Sequence, residues 1–99
     1  MNGAQENGQG FALTLSGRID ASNAPKLEQD LLALHAQHPD TLIIDLSDVT
    51  YISSSGLRVL LMAHRRQQHS GGQLFLRNPA PKIMHIMTLC GFDQVFAFL

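Results

Sequence analysis

Apolar and polar residues alternate in FALTLSG, residues 11–17, with Phe11, Leu13 and Leu15 on one side and Ala12, Thr14 and Ser16 on the other. A period of two predicts a strand with one covered face, and Gly17 permits a bend after it. The period then lengthens. In ASNAPKLEQDLLALHAQHPD, residues 21–40, Leu27, Leu31 and Leu34 recur at helical spacing. Ser22 or Asn23 can cap this helix, Pro25 suits its first turn, and His38 with Pro39 ends it. TLIIDL, residues 41–46, is a continuous apolar stretch with β-branched residues, which suits a central strand covered on both faces and followed by a turn.

After that turn, SSSG at 53–56 leads into a second helix. Its Leu57, Leu60, Leu61 and His64 stand at i, i+3, i+4 and i+7, with His64 at the boundary of the apolar face, and Gly71-Gly72 closes it. QLFLRN at 73–78 is the next strand. Pro79 and Pro81 open a third helix with a stripe of Ile83, Ile86, Met87 and Cys90, and Gly91 suits its stop. DQVFAFL at 93–99 alternates again as a last strand, while the first ten residues, MNGAQENGQG, read as a mobile start or a short edge strand. The order β-α-β-α-β-α-β with short connections predicts right-handed crossovers. The fold class is α/β: one domain over residues 1–99, a mixed, mostly parallel sheet, and helices mainly on one face.

Composition narrows the function classes. The chain has 99 residues, which favours a single core, and 44% hydrophobic residues against 15% charged, which argues against disorder. A formal net charge of -1 offers a nucleic acid or an anionic membrane no long-range attraction. Cys90 is the only cysteine, so no internal disulfide forms, in keeping with a reducing compartment. The N-terminal residues lack the basic cluster and apolar core of a secretory signal. No apolar run approaches the roughly 18 to 20 residues that span a bilayer, so the expected setting is the cytoplasm, without membrane insertion.

The three serines at 53–55 carry the most specific chemistry. A helix leaves its first four N–H groups without internal partners. Ser53, Ser54 or Ser55 can each satisfy one, but no Glu or Gln three residues later completes a capping box. Free donors and the positive end of the helix dipole make this a favourable place for an anion, including a phosphate carried by a serine. The simpler reading of a serine at a helix start is a cap without modification.

The stretch IIDLSDVTYISSSGLRVLLMAHR, residues 43–65, resembles the STAS domain family and, within it, the anti-sigma factor antagonists of bacterial partner-switching systems. LSGRID at 15–20 resembles the family's L-x-G-x-[LI]-D signal. GGQLFLRNPAPKI at 71–83 resembles its Gly-Gly turn, strand and third-helix start, and LCGFDQVFAFL at 89–99 its closing segment. The resemblance implies a regulatory binding protein, a kinase substrate without catalytic residues or a cofactor. Unmodified, it binds an anti-sigma factor that is also a serine kinase of the histidine-kinase-like ATPase type. Phosphorylation of a serine in D-[ST]-[ST]-G-[LI] releases it, and a metal-dependent serine phosphatase resets it. The acceptor maps onto Ser54, with Ser53 and Ser55 as alternatives, and the partner surface onto Asp20, Ser53, Ser54, Ser55, Gly56, Leu57 and Arg58. Ser53 stands where many relatives carry Asp, which removes a charge beside the acceptor. Relatives usually continue into a fourth helix after the last strand; here the residues end at Leu99, and a patch left uncovered there would favour a homodimer. The runner-up reading is an accessory STAS subunit that docks on an ABC-type ATPase of a lipid transport system without phosphorylation.

Other constellations are weaker. His35 and His38 share a helix turn, but zinc needs about four ligands and the lone cysteine is distant in sequence, so no metal site is expected. His69 and His85 read as solvated. Ser54 lacks the G-x-S-x-G elbow and an assignable base, which argues against a hydrolase, and Gly71-Gly72 lacks the Lys-Ser/Thr of a phosphate loop. Arg58, Arg65 and Arg66 form a basic group on a solvated face. Met84, Met87 and Phe92 are expected in the core.

Overall fold

The computed structural model describes residues 3–7 and 10–99, with side chains from residue 10 onward. Its elements are β1 (Gly3–Asn7), β2 (Gly10–Ile19), α1 (Ala24–Gln37), β3 (Thr41–Ile52), α2 (Ser54–His69), β4 (Gln73–Arg77), α3 (Pro81–Leu89), a 3-10 turn (Phe92–Gln94) and β5 (Ala97–Phe98). The sheet order is β1-β2-β3-β4-β5; β1 runs antiparallel to β2, and each later pair is parallel. Part of the first ten residues thus forms an edge strand; residues 1, 2, 8 and 9 lie outside the described residues.

Alternation on the strands selects one face for the main core. Leu13 and Leu15 of β2, Leu42, Ile44 and Leu46 of β3, and Leu74 and Leu76 of β4 join Leu27 and Leu31 of α1, Leu57, Leu60 and Ala63 of α2, and Ile83 and Met87 of α3 in a single cluster. All three helices therefore cover the same side of the sheet. Ala12 and Ile43, neighbours in register, are buried outside that cluster. Beside them Asp45 receives Arg77 Nε at 2.9 Å and, from Ser47, the backbone N–H at 2.9 Å and the hydroxyl at 2.6 Å. Burial pushes the Asp45 carboxyl up, but the Ser47 bonds and the Arg77 guanidinium outweigh it and hold the group below its ordinary value.

Several boundaries differ from the sequence reading. No turn follows Leu46: β3 runs on to Ile52, because Val49 and Ile52 pair with Gly17 and Ile19 of β2 and are buried at 2% and 3% exposure. Gly17 does not end β2; it takes φ 76 between two register shifts and the strand continues past it. Residues 93–99 are not one strand. Gly91 turns the chain at φ 77, Phe92 O accepts N–H bonds from Val95 and Phe96, and two residues remain to pair with β4. Cys90 leaves the α3 stripe and is exposed.

The helix ends show why these elements stop where they do. After α2, Gly72 packs so closely on the Pro39–Asp40 backbone that an added Cβ would lie 2.1 Å from both carbonyl oxygens. Gln67, wholly buried on α2, donates to His38 O at 3.3 Å and Gln73 O at 3.4 Å and accepts from His35 Nδ1. His38 stacks on Phe11, with ring centroids 4.0 Å apart. The side chains of His35, in the last turn of α1, and of His38, its C-cap, thus make separate contacts, with Gln67 and Phe11. His64 is buried rather than at a boundary. Among the described residues, no helix is long and apolar enough to cross a membrane.

Candidate functional site

The C-terminal ends of β2 and β3 lie side by side, with Arg18 opposite Tyr51 and Ile19 opposite Ile52. Both strands feed directly into helices, so the starts of α1 and α2 share one edge of the molecule. Ser53 N–H donates to Ile19 O at 2.8 Å, which joins the serine cluster to the segment carrying Asp20.

The three serines have different roles. Ser53 is the N-cap of α2: in extended conformation, it accepts from Gly56 N–H through Oγ at 3.2 Å, while its carbonyl accepts from Leu57 N–H at 2.9 Å. Its hydroxyl is therefore engaged. Ser54 is the first helical residue, exposed, and its hydroxyl has no hydrogen-bond partner among the described residues. Ser55 is half-buried and lines a shallow groove of about 330 Å³ between the two helix starts, with Ala24 and Glu28 of α1 and Arg58 of α2. No acidic residue sits in the first turn of either helix, so no carboxylate within those turns offsets the positive dipole ends.

Gly56 is required by close approach. A Cβ there would lie 2.7 Å from Ile19 Cγ2 and 2.9 Å from Ile52 Cγ1, and both isoleucines are buried. Its absence lets α2 start directly over the ends of β2 and β3. Leu57 is 4% exposed and turns into the core, so its side chain supports the site from beneath and does not reach the surface. Arg58 is exposed one helical turn after Ser54 and forms no ion pair among the described residues.

Asp20 stands at the facing turn. Its carboxylate accepts the Ser22 hydroxyl at 2.6 Å and the Ser22 N–H at 3.0 Å, and Arg18 Nε lies 3.9 Å away. The Ser22 bonds, the hydroxyl's first, and the Arg18 charge hold this carboxyl below its ordinary value. Asn23 occupies the N-cap position of α1 but does not cap with its side chain. Its amide turns backward, accepting from Asp20 N–H at 2.9 Å and donating to Arg18 O at 2.7 Å. The expected Ser22 or Asn23 cap is thereby replaced by a bonded turn that fixes Asp20. Pro25 removes one donor that a cap would have to satisfy.

Two contributors were not singled out from sequence. The Arg18 guanidinium lies 4.3 Å from the centre of the Tyr51 ring, forming a stacked pair at the edge of the site. Glu28 reaches the groove from α1. Neither carries a local signal, because the strand register and the packing of α1 beside α2 bring them there.

Known proteins resemble the chain over nearly its whole length. Residues 2–99 match the family described as "Mlab, STAS domain". The anti-sigma-B factor antagonist of Bacillus subtilis strain 168 is 30% identical over 91 residues, covering 92% of this chain and 83% of that protein. The crystal structure of an anti-sigma factor antagonist from Mycobacterium paratuberculosis is 28% identical and superposes with a TM-score of 0.87, covering 99% of this chain and 83% of that one. SpoIIAA shares the fold at 17% identity, in its unphosphorylated form with a TM-score of 0.82 (100% of this chain, 88% of that one) and in the phosphorylated form from Bacillus with 0.75 (100% and 91%). With the sheet order, the three helices on one face and the match across residues 2–99 in agreement, the chain belongs to the STAS domain family.

Proposed function

We propose that this protein is an anti-sigma factor antagonist, a regulatory binding protein and not an enzyme, that acts in the cytoplasm and is controlled by phosphorylation of Ser54. The observation that carries this reading is the division of labour among the serines: Ser53 is spent as the helix cap, Ser55 is half-buried, and Ser54 presents an exposed hydroxyl without a partner among the described residues. The names of the relatives support the class, and the phosphorylated SpoIIAA is a protein of this fold that carries the modification.

The unmodified face, formed by Asp20, Ser53, Ser54, Ser55 and Arg58, docks on an anti-sigma factor that is also a serine kinase of the histidine-kinase-like ATPase type. Gly56 and Leu57 set the position of that face from within. A phosphate on Ser54 adds about 1.5 to 2 negative charges beside free helix N–H groups, which tolerate it without unfolding the domain. The docked partner, by contrast, would have to desolvate that charge. A loss of about 3 kcal/mol at the contact weakens binding on the order of 100-fold, enough to dissociate the pair. A metal-dependent serine phosphatase restores the binding form.

Peptide mapping after incubation with the partner kinase and ATP tests the site. Phosphate on Ser54 is the expected result; phosphate on Ser53 or Ser55 with Ser54 bare overturns the assignment. Recovery of an ABC-type ATPase instead of a kinase from the native host would redirect the reading to a transporter subunit.

A further inference from the structure

Away from the serine face, the one buried side-chain nitrogen or oxygen without a hydrogen-bond partner among the described residues is Nδ1 of His64. The residue is 8% exposed on α2, and its ring meets Phe96 edge-on, with centroids 5.4 Å apart at 66°. Phe96 in turn meets Phe92 at 5.8 Å. A groove of about 400 Å³, whose lining includes His64, Gln68, Gln73, Leu74, Phe75 and Ala97, opens beside this contact, and neither glutamine bonds to Nδ1.

The segment that Phe96 anchors is lightly held. Its strand β5 has two residues, paired as Phe75 with Ala97 and Leu76 with Phe98, and one further bond runs from Leu99 N–H to Leu76 O at 2.9 Å. Phe96, at 5% exposure, is the only buried residue after Gly91, while Val95 and Leu99 are 43% and 49% exposed. Phe96 is thus the deepest point of the segment, seated in the main core with His64 as one wall of its site, while Phe92 and Phe98 pack around it.

We propose that His64 is an acid-sensitive latch: as neutral imidazole it seats Phe96 and holds Phe92–Leu99 against α2 and β4, and as imidazolium it releases that segment while the remaining sheet stays folded. An imidazolium carries N–H on both ring nitrogens, so protonation places a donor at Nδ1 where no acceptor lies, inside an apolar contact. Detaching the segment lets water reach the ring. Opening at a chain end with two strand residues costs less than global unfolding, so the strain is relieved locally.

The surrounding charges do not rescue the cation. On α2, Arg65 repels it. From β4 come Leu74 and Phe75, and the charge of that strand, Arg77, is paired with Asp45. Phe96 brings no charge, Asp93 of the preceding turn accepts a hydrogen bond from the Gln94 amide, and Lys82 and His85 of α3 are exposed. Burial first and Arg65 second hold His64 below its ordinary value of 6.5. The closed state thus has its full His64 contribution above that value, and loses it as pH falls through the lowered folded value.

Nuclear magnetic resonance on the intact chain from about pH 7.5 to about pH 5 tests the latch. The expected result is loss of the cross-peaks between the His64 and Phe96 rings, with the amide signals of residues 97–99 moving to unstructured positions in step with His64 titration. Signals of β2 and β3 should stay in place. Ring contact and amides unchanged through that titration would overturn the proposal, as would loss of all strands together. His64→Phe keeps an aromatic ring that binds no proton, and its segment should remain seated across the range; release on acid as in the wild type would also overturn it. The wild-type titration decides the matter even where that variant does not fold.

Discussion

At the scale of single residues, neighbouring side chains of one type do different work. Ser53→Ala removes the cap of α2 and should lower stability by about 1 kcal/mol in a denaturant titration, while leaving Ser54 available to the kinase. Ser54→Ala should leave stability within about 0.5 kcal/mol, because its exposed hydroxyl bonds to no described residue. The same change should make partner binding insensitive to ATP, and Ser54→Glu should weaken binding by about 10-fold or more in a calorimetric measurement. Gly56→Ala is the opposite case. It forces a methyl group into Ile19 and Ile52 and should cost about 1 to 3 kcal/mol, read as a shift of the denaturation midpoint.

At the scale of elements, the helices hold their places through a few buried polar atoms as well as through apolar packing. Gln67 bonds to the C-terminal end of α1 and the first residue of β4 from a site with no water exposure. Gln67→Leu should strand the His38 and Gln73 carbonyls and cost about 1 to 3 kcal/mol, with hydrogen exchange accelerated first at residues 35–40 and 73–74. The apolar periods were sufficient to find α1, α2 and α3 and to name Leu27, Leu31, Leu57, Leu60, Ile83 and Met87 as inward-facing. They did not find Gln67. A glutamine on an amphipathic helix reads as solvated until the neighbouring helix and strand supply its partners. The extension of β3 past Leu46 was missed for a related reason: Ser47 and Asp48 interrupt the apolar run, but pairing with β2 continues through them.

At the scale of the whole molecule, the face opposite the helices depends on the Asp45–Arg77 pair. The Asp45 carboxyl lies below its ordinary value in the folded state, so it stabilises the fold fully above that ordinary value, near 3.8, and loses this contribution as pH falls through the folded value. Asp45→Ala should therefore reduce the steepness of acid unfolding, followed by circular dichroism below about pH 4, and lower neutral-pH stability by about 1 to 3 kcal/mol because Arg77 is left unpaired.

Sequence periodicity by itself determined the alternation of strands and helices, the parallel sheet and the helix start that carries Ser54, because these follow from local spacing and backbone donors. Tertiary structure alone decided which serine is consumed as the cap and which strand ends adjoin. It also placed Asp20, Tyr51 and Glu28 around the same edge and buried His64 against Phe96. Hydrogen-bond partners and burial come from residues distant along the chain, and a local pattern of polar and apolar positions contains no record of which distant residue will arrive.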